Sequence, residues 1–448
     1  MRTRQERSEQ SAKEYFLERA AAYFDEMRDT AKNAPDGQAF DHVEAFASKQ
    51  GRELLQKSME ETLQEQIDDF EKKKETTLCP KCQQKKRHGG YRTKERISVF
   101  GKITLSRRYD ECLPCHLSEH VADKRFGLED RYSKGLRRLA VFSAVGESYR
   151  KGSEALEEFL GLKLSHNTVR ELCRQEAPKM KEWCQTSSQV RKEFIETGGV
   201  VEVTMDGTCV NTTEGAREVK VGIISKRELG EPASPEQWGD RDLPSLGACV
   251  AFAAVEEKET FQERFHFWRR HLCLGSTGDI SALGDGAAWI WNIISLVFGK
   301  VRGCLDIYHA LEHLSDTGKA LYGEGTKQYE EWQEAAKKDL LSGGFELFEK
   351  RLARLEEEKS RWSLTQKESL RLLRGYLENN RERLKYRERL AEGRSIGSGQ
   401  VEGACKNLIR KRLKQTWAEW KVENLNHMAN IWAIRYGEQW KNYWKQAK

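Results

Sequence analysis

The stretch VVEVTMDGT (residues 200–208) is a run of β-branched and apolar residues that ends in Asp206-Gly207, an acid where a strand gives way to a turn. Working outward, REVKVGIISKR (217–227) alternates polar and apolar residues as a second strand does. LGACVAFAAV (246–255) is apolar throughout, the mark of a buried third strand. A helix carrying Phe261, Phe265, Phe267 and Trp268 follows, then DISALGDG (279–286), a short strand ending at Asp285. AAWIWNIISLVF (287–298) is apolar almost all round and must be buried, and VRGCLDIYH (301–309) is a fifth strand running into a helix.

Three strands, a helix, a strand, a helix and a strand make the RNase H order. In that order the acids closing the first and fourth strands, Asp206 and Asp285, fall side by side. Carboxylates brought together repel unless a hard cation neutralises them, and Mg²⁺ or Mn²⁺ takes oxygen ligands of this kind. Two such ions activate an attacking water or 3′-hydroxyl and stabilise the leaving oxygen. The competing reading of each Asp-Gly alone is an ordinary turn. The expected fold is therefore α/β, an RNase H-like mixed five-stranded sheet with a helical insertion, preceded by N-terminal helices, a zinc ribbon and a helical DNA-binding region.

Upstream, residues 1–77 read as an N-terminal helical region, with NAPDGQAF breaking two helices of mixed charge. Residues 78–127 read as a zinc ribbon. Cys79-Pro-Lys-Cys82 and Cys112-Leu-Pro-Cys115 are two Cys-x-x-Cys knuckles, and two knuckles complete a tetrahedral Zn²⁺ site. A redox motif would not come duplicated. Residues 81–108 hold ten Lys and Arg against one acid, Glu95, which puts Lys85 and Arg87 on a rigid knob suited to DNA-backbone contact. Residues 128–198 read as helical, a candidate helix-turn-helix in which Gly161 stops one helix and Ser165-His166-Asn167-Thr168 starts the next. The alternative is an ordinary three-helix packing unit.

Downstream, 199–313 is the first part of the catalytic core, 314–394 an all-helical insertion rich in Glu, Lys, Arg and Leu, and 395–448 the last helices with a basic, Trp-rich tail. Trp417, Trp420, Trp432, Trp440 and Trp444 fit core or dimer contacts or base stacking. No stretch approaches a membrane span, and MRTRQERSEQ lacks the apolar core of a secretory signal, so a cytoplasmic, nucleoid-associated bacterial protein is expected.

The segments MDGT (205–208), GDGAAWIW (284–291), LDIYHALEHL (305–314) and GSGQVEGACK (397–406) resemble the signature blocks of bacterial insertion-sequence transposases, in particular the ISKra-type family related to Mutator-like elements. The resemblance spans about residues 199–420 and implies a DDE triad interrupted by a helical insertion. By position the triad is Asp206, Asp285 and Glu402. Asp306 and His309 resemble the Asp-x-x-His motif that Mutator-like transposases place after the second acid. The pair can orient a phosphate or a metal-bound water, or be a helix cap beside a packed histidine, and Asp306 can replace Asp285 as the second ligand. Ser395–Gly399 reads as a flexible break before the helix bearing Glu402. Lys406 and Arg410, one and two turns on, are placed to hold substrate phosphates, or to form a surface ion pair with Glu402.

The expected activity is metal-dependent cleavage at element ends and strand transfer into target DNA, by a homodimer or larger complex. The alternatives are a domesticated transposase that only binds DNA through its zinc-containing region, and an RNase H-like nuclease that cuts without joining.

Overall fold

The computed structural model describes residues 6–7, 10–275, 279–357, 362–415 and 418–446, and within them the side chains of all but Glu356, Glu402, Asn407 and Arg410. Two compact units emerge, one of residues 1–144 and 149–172, the other of 145–148 and 173–448.

In the first unit, α1 (Ala12–Lys32) and α2 (Ala39–Lys73) form a hairpin. Ser11 and Glu14 close a reciprocal capping box at the start of α1. An antiparallel sheet follows, in the order β1 (Arg87–Ser98), β2 (Gly101–Cys112), β3 (Leu117–His120). Because β3 pairs only with Tyr109–Cys112, the rest of that edge of β2 lies open, and α2 runs along it. Gln56 donates to the Lys102 carbonyl at 2.6 Å, Glu60 accepts from Thr104 N at 2.8 Å, and Glu71 accepts from Arg108 N at 2.7 Å. Gln64 takes both Ser106 N and Ser106 O, at 2.7 and 2.9 Å. In the sequence Phe46, Leu54, Leu55, Met59, Leu63, Ile67 and Phe70 recur near every 3.6 residues, which predicts an apolar stripe on this helix. Ile67 does join Ile103, Leu105, Ala122 and Leu128 in a small core, but Glu60, Glu61, Gln64, Asp68 and Glu71 are buried beside it.

Helices α3 (Lys134–Gly146), α4 (Tyr149–Leu160) and α5 (His166–Thr186) follow, and the division between the units falls inside α5. Gly161, at φ +60°, stops α4, and Ser165 Oγ accepts from Thr168 N at 3.1 Å to start α5. His166, Asn167, Arg170 and Arg174 are exposed along α5.

The second unit opens with α6 (Ser188–Glu196) and is built on a five-stranded mixed sheet in the order β6-β5-β4-β7-β8. β4 (Val200–Thr212), β5 (Gly215–Arg227) and β6 (Ala248–Ala254) are antiparallel neighbours, and β7 (Ile280–Gly284) and β8 (Arg302–Leu305) continue parallel to β4. Helices α7 (Lys258–His271) and α8 (Ala288–Phe298) make the crossovers. One face of α8 is buried through Ile290, Ile293, Ile294 and Val297. The other is not: Leu296 is 66% exposed, so the expectation of burial all round holds for only part of the helix.

After β8 come α9 (Ile307–Tyr322), α10 (Lys327–Glu357, bent at Gly344), α11 (Leu364–Asn379) and α12 (Tyr386–Ala391). Their charged sequence hides a core in which Trp332, Phe348, Leu373 and Tyr386 pack with Leu305 and Ile307 from the end of the sheet. α13 (Gly399–Ala404) continues as a π-helical stretch, Cys405–Leu413, before α14 (Val422–Tyr436) and α15 (Trp440–Gln446). No helix among the described residues is long and apolar enough to cross a membrane.

Candidate functional site

Three acids line one edge of the sheet. Asp285 follows the last residue of β7, and Asp306 follows the last residue of β8. The register pairs Thr204 with Leu283 and Gly284 with Leu305, so Asp206, Asp285 and Asp306 sit level across three adjacent parallel strands. The carboxyl ends of parallel strands are where open α/β sheets bind ligands. Asp206 is not at the end of its strand, as the sequence suggests. β4 runs six residues further because β5 returns beside it as far as Gly215, whereas β7 accompanies it only to Thr204.

Asp206 is half-buried, and its Oδ1 accepts from Gly207 N at 2.7 Å. Burial raises its pKa; hydrogen bonds from Cys405 and Gly207 oppose the rise, and the charge on Asp285 adds to it. Asp285 accepts from Ala287 N at 2.9 Å, and its carbonyl takes the Tyr376 hydroxyl at 2.7 Å. Gly286 between them is at φ +92°, and a Cβ there would stand 2.9 Å from the Tyr376 ring, so glycine is required. The helical insertion thus reaches the site through Tyr376, whose ring also lies 4.0 Å from that of His313.

Asp306 has a different role. It is fully buried at the N-cap of α9, accepting from Tyr308 N at 2.8 Å through Oδ1. Its Oδ2 receives Ser398 N at 3.1 Å and the Ser398 hydroxyl. His309 Nδ1 stands 3.4 Å away, and the Asp306 carboxylate raises that imidazole to about 9. With its oxygens committed to these donors, Asp306 ties α9 to the turn before α13. That turn is a buried strap: Arg394, Ser395, Ile396 and Ser398 are each buried, and Ile307 N bonds the Ile396 carbonyl at 3.1 Å. The expected flexible break is absent because Asp306 and Arg389 hold both ends of it.

α13 is anchored to the sheet by Gln400, which donates to Glu202 and accepts from Ser225 Oγ at 2.8 Å. Just beyond its end the Cys405 thiol donates to Asp206 Oδ2 at 3.3 Å. Glu402 lies on α13 and Arg410 on the π-helical stretch, but their side chains lie outside the described residues, as does Trp417. Lys406 is exposed, and Lys414 Nζ reaches Thr208 Oγ1 at 2.9 Å. Sequence reasoning missed Ser398, Tyr376, Gln400 and Cys405. Ser398, Gln400 and Cys405 are marked only by lying inside the 397–406 block, and nothing in the sequence marks Tyr376. Trp420, Trp432 and Trp444 are buried, which makes them core residues rather than stacking platforms.

The four cysteines form a group able to hold a structural metal such as zinc: their sulfurs all lie within 4.8 Å of one another. Both knuckles close in the same way, with the residue after the second cysteine left-handed, Gln83 at φ 59° and His116 at φ 53°. The Cys82 backbone N–H pulls the Cys79 thiol down to about 6, while hydrogen bonding with Cys82 pushes Cys115 up to about 12. A cation would let all four ionise together. Among the described residues no other set of three or more such side chains meets that spacing, so Asp206, Asp285 and Asp306 are not drawn together as tightly.

Cations of the basic run at 81–108 pair with acids that lie beyond it in the sequence. Lys86 pairs with Glu119, Arg87 with Glu111 at 2.6 Å, Arg107 with Asp123 and Arg108 with Asp110. Arg87 keeps an exposed side chain, and Lys81, Lys85 and Arg92 are exposed as well.

No family model matches the chain. It is 24% identical to a UPF0236 protein of Caldanaerobacter subterraneus subsp. tengcongensis over 93% of this chain and 81% of that protein. A second UPF0236 protein of the same organism, whose name joins eleven locus designations, is 23% identical over 87% of this chain and 75% of its own length. A UPF0236 protein in a vanSb 3′ region of Streptococcus gallolyticus is 23% identical over 46% of this chain and 44% of its own.

Proposed function

We propose that this chain is a DNA transposase with an RNase H-like core, in which Asp206, Asp285 and Glu402 hold divalent cations for cutting and rejoining strands. The observation that carries the reading is the 3.3 Å contact between Cys405 and Asp206. It brings the helix bearing Glu402 back to a strand 199 residues earlier, beside the level pair Asp206 and Asp285. The strand order β6-β5-β4-β7-β8, three antiparallel then parallel, is the order expected of such a core. The eleven locus designations of one relative add independent support, because a coding sequence repeated at many loci is what a mobile element leaves behind.

The acids suit Mg²⁺ or Mn²⁺, since burial and mutual repulsion already disfavour the charged form of Asp206. When bound, two such ions would supply the charge that activates water or a 3′-hydroxyl. His309, protonated at neutral pH, offers a cation to a phosphate, and by their spacing after Glu402 in the sequence Lys406 and Arg410 are the further cations assigned to substrate phosphates. Lys85 and Arg87 on the ribbon, with the exposed face of α5, hold the DNA of element ends in register.

The test uses the full chain, Mn²⁺ or Mg²⁺, and duplexes carrying the DNA that flanks its coding region. Asp206→Asn should lower strand cleavage by at least about two orders of magnitude while duplex binding persists. Equal cleavage by wild type and variant would overturn the assignment. Cutting without joining of a pre-cleaved 3′ end would instead mark a nuclease.

A further inference from the structure

The hairpin of α1 and α2 presents an apolar face to solvent. Its helices meet along Phe16, Ala20, Tyr23 and Met27 of α1, all half-buried, with Tyr23 stacked on Phe46 of α2 at 5.4 Å. On one flank of this line Glu18, Ala22 and Glu26 of α1 face Gln50, Glu53 and Lys57 of α2 across a charged crevice. Each helical residue turns by about 100°, so the residue following each contact position falls on the opposite flank. That flank carries Leu17, Ala21, Phe24 and Ala31 on α1 and Phe40, Ala47 and Leu55 on α2. Leu17, Phe24, Phe40 and Leu55 are 54%, 58%, 78% and 48% exposed. Of the 21 residues of α1 only Ala12 is buried, and Leu17, Ala21, Phe24 and Ala31 are exposed, so the helix leaves an apolar flank in water.

We propose that this face docks onto the same face of a second copy of the chain, two hairpins closing into a four-helix bundle. Leu17, Ala21, Phe24, Arg28 and Ala31 recur at alternating steps of four and three, the spacing that packs against another helix rather than an extended peptide. The flank's charges are Lys13, Arg28 and Glu44, and Arg28 is already paired with Asp25 at 3.2 Å. A nearly balanced face can meet itself without like-charge repulsion and offers little to a polyanion. About 20 residues at 1.5 Å each, two helices wide at about 10 Å per helix, give roughly 600 Å² in plan, close to the ~800 Å² per partner of a standard interface. A two-fold axis makes the single patch complementary to itself. None of this depends on whether the chain cuts DNA.

Analytical ultracentrifugation of the full chain tests it. Wild type should sediment as a dimer at tens of micromolar. The double variant Leu17→Glu, Phe24→Glu should weaken the dimer by about a hundredfold or more at unchanged helical circular dichroism. Ala22→Glu, on the charged flank, should leave the dimer intact. Where the glutamate pair disturbs folding, Leu17→Ser with Phe24→Ser is judged by the same criterion. A monomeric wild type, a double variant as dimeric as wild type, or equal dissociation by Ala22→Glu would each overturn the proposal.

Discussion

Replacing Asp306 by asparagine keeps the shape of a fully buried side chain and removes its charge. The carboxylate now answers three donors, Tyr308 N at 2.8 Å, Ser398 N at 3.1 Å and the Ser398 hydroxyl, with His309 Nδ1 3.4 Å away. An amide has one carbonyl oxygen. If that oxygen keeps the cap on Tyr308, the NH₂ group faces the Ser398 donors and a protonated imidazole. Hydrogen bonds to charged groups contribute about 1.5–3 kcal/mol each, and the Ser398 hydroxyl can rotate to accept, so the net loss should be about 2–4 kcal/mol.

The same substitution moves His309. The Asp306 carboxylate raises its imidazole from 6.5 to about 9, chiefly by hydrogen bonding, and burial opposes that rise. Without that carboxylate burial still lowers the value while the charges of Asp285 and Glu312 still raise it, so it should fall back toward 6.5. A folded-state value above the unfolded one stabilises in full below pH 6.5, and the gain is lost as pH rises through about 9. Urea unfolding of wild type across that window should show this decline, and Asp306→Asn should lack it. Histidine-selective NMR reads the titration directly. An unchanged His309 titration in the variant, or a loss of stability below about 0.5 kcal/mol, would refute the assignment of Asp306 as the tie between α9 and the strap.

Two further outcomes follow from the first unit. Cys112→Ser should cut bound zinc well below one per chain, and hydrogen-exchange protection should disappear from β1–β3 but persist in β4–β8, since structural zinc contributes about 10–16 kcal/mol to such sites. Full zinc retention would count against the quartet. Gln64→Ala should cost about 2–4 kcal/mol in urea unfolding, because it strands both the N–H and the carbonyl of Ser106 on the open edge of β2. A cost under about 1 kcal/mol would mean that water replaces the side chain.

The strands of the second unit were legible because side-chain alternation and apolar runs are local properties, and so Asp285 could be placed at a strand end before any contact was known; Asp206 was placed on the right strand, but the length of that strand depends on its pairing with β5 and was not legible. The cysteine knuckles were legible for a related reason: their spacing is itself the geometry of the site. The charge of the ribbon was not. Lys86, Arg87, Arg107 and Arg108 look unbalanced along the chain, yet Glu119, Glu111 and Asp110 on the strands and Asp123 at the start of the short helix after them reach these cations. The strap at 394–398 failed differently. Glycine and serine signal freedom in an isolated peptide, whereas here Ser398 answers a buried acid 92 residues away, and Gly397 leaves no room for a Cβ beside the Tyr308 ring.

One arrangement recurs in both units and gives polar helical side chains a partner other than solvent. An open sheet edge carries unpaired backbone donors and acceptors, which invite pairing with another chain. Beside β2 the answer is a helix whose Gln56, Glu60 and Gln64, spaced by four, meet alternate residues of the strand. At the end of β6, Asn426 of α14 accepts from Val255 N at 2.8 Å and donates back to its carbonyl at 3.4 Å. Helix rise and strand rise set this match: four helical residues advance about 6 Å, and two strand residues advance about 6.6 Å. A row of glutamines and glutamates at that spacing therefore has two readings, solvent or strand edge, and residue hydropathy alone cannot separate them. The discriminating sign is an adjacent strand with a short partner, as β2 has in β3.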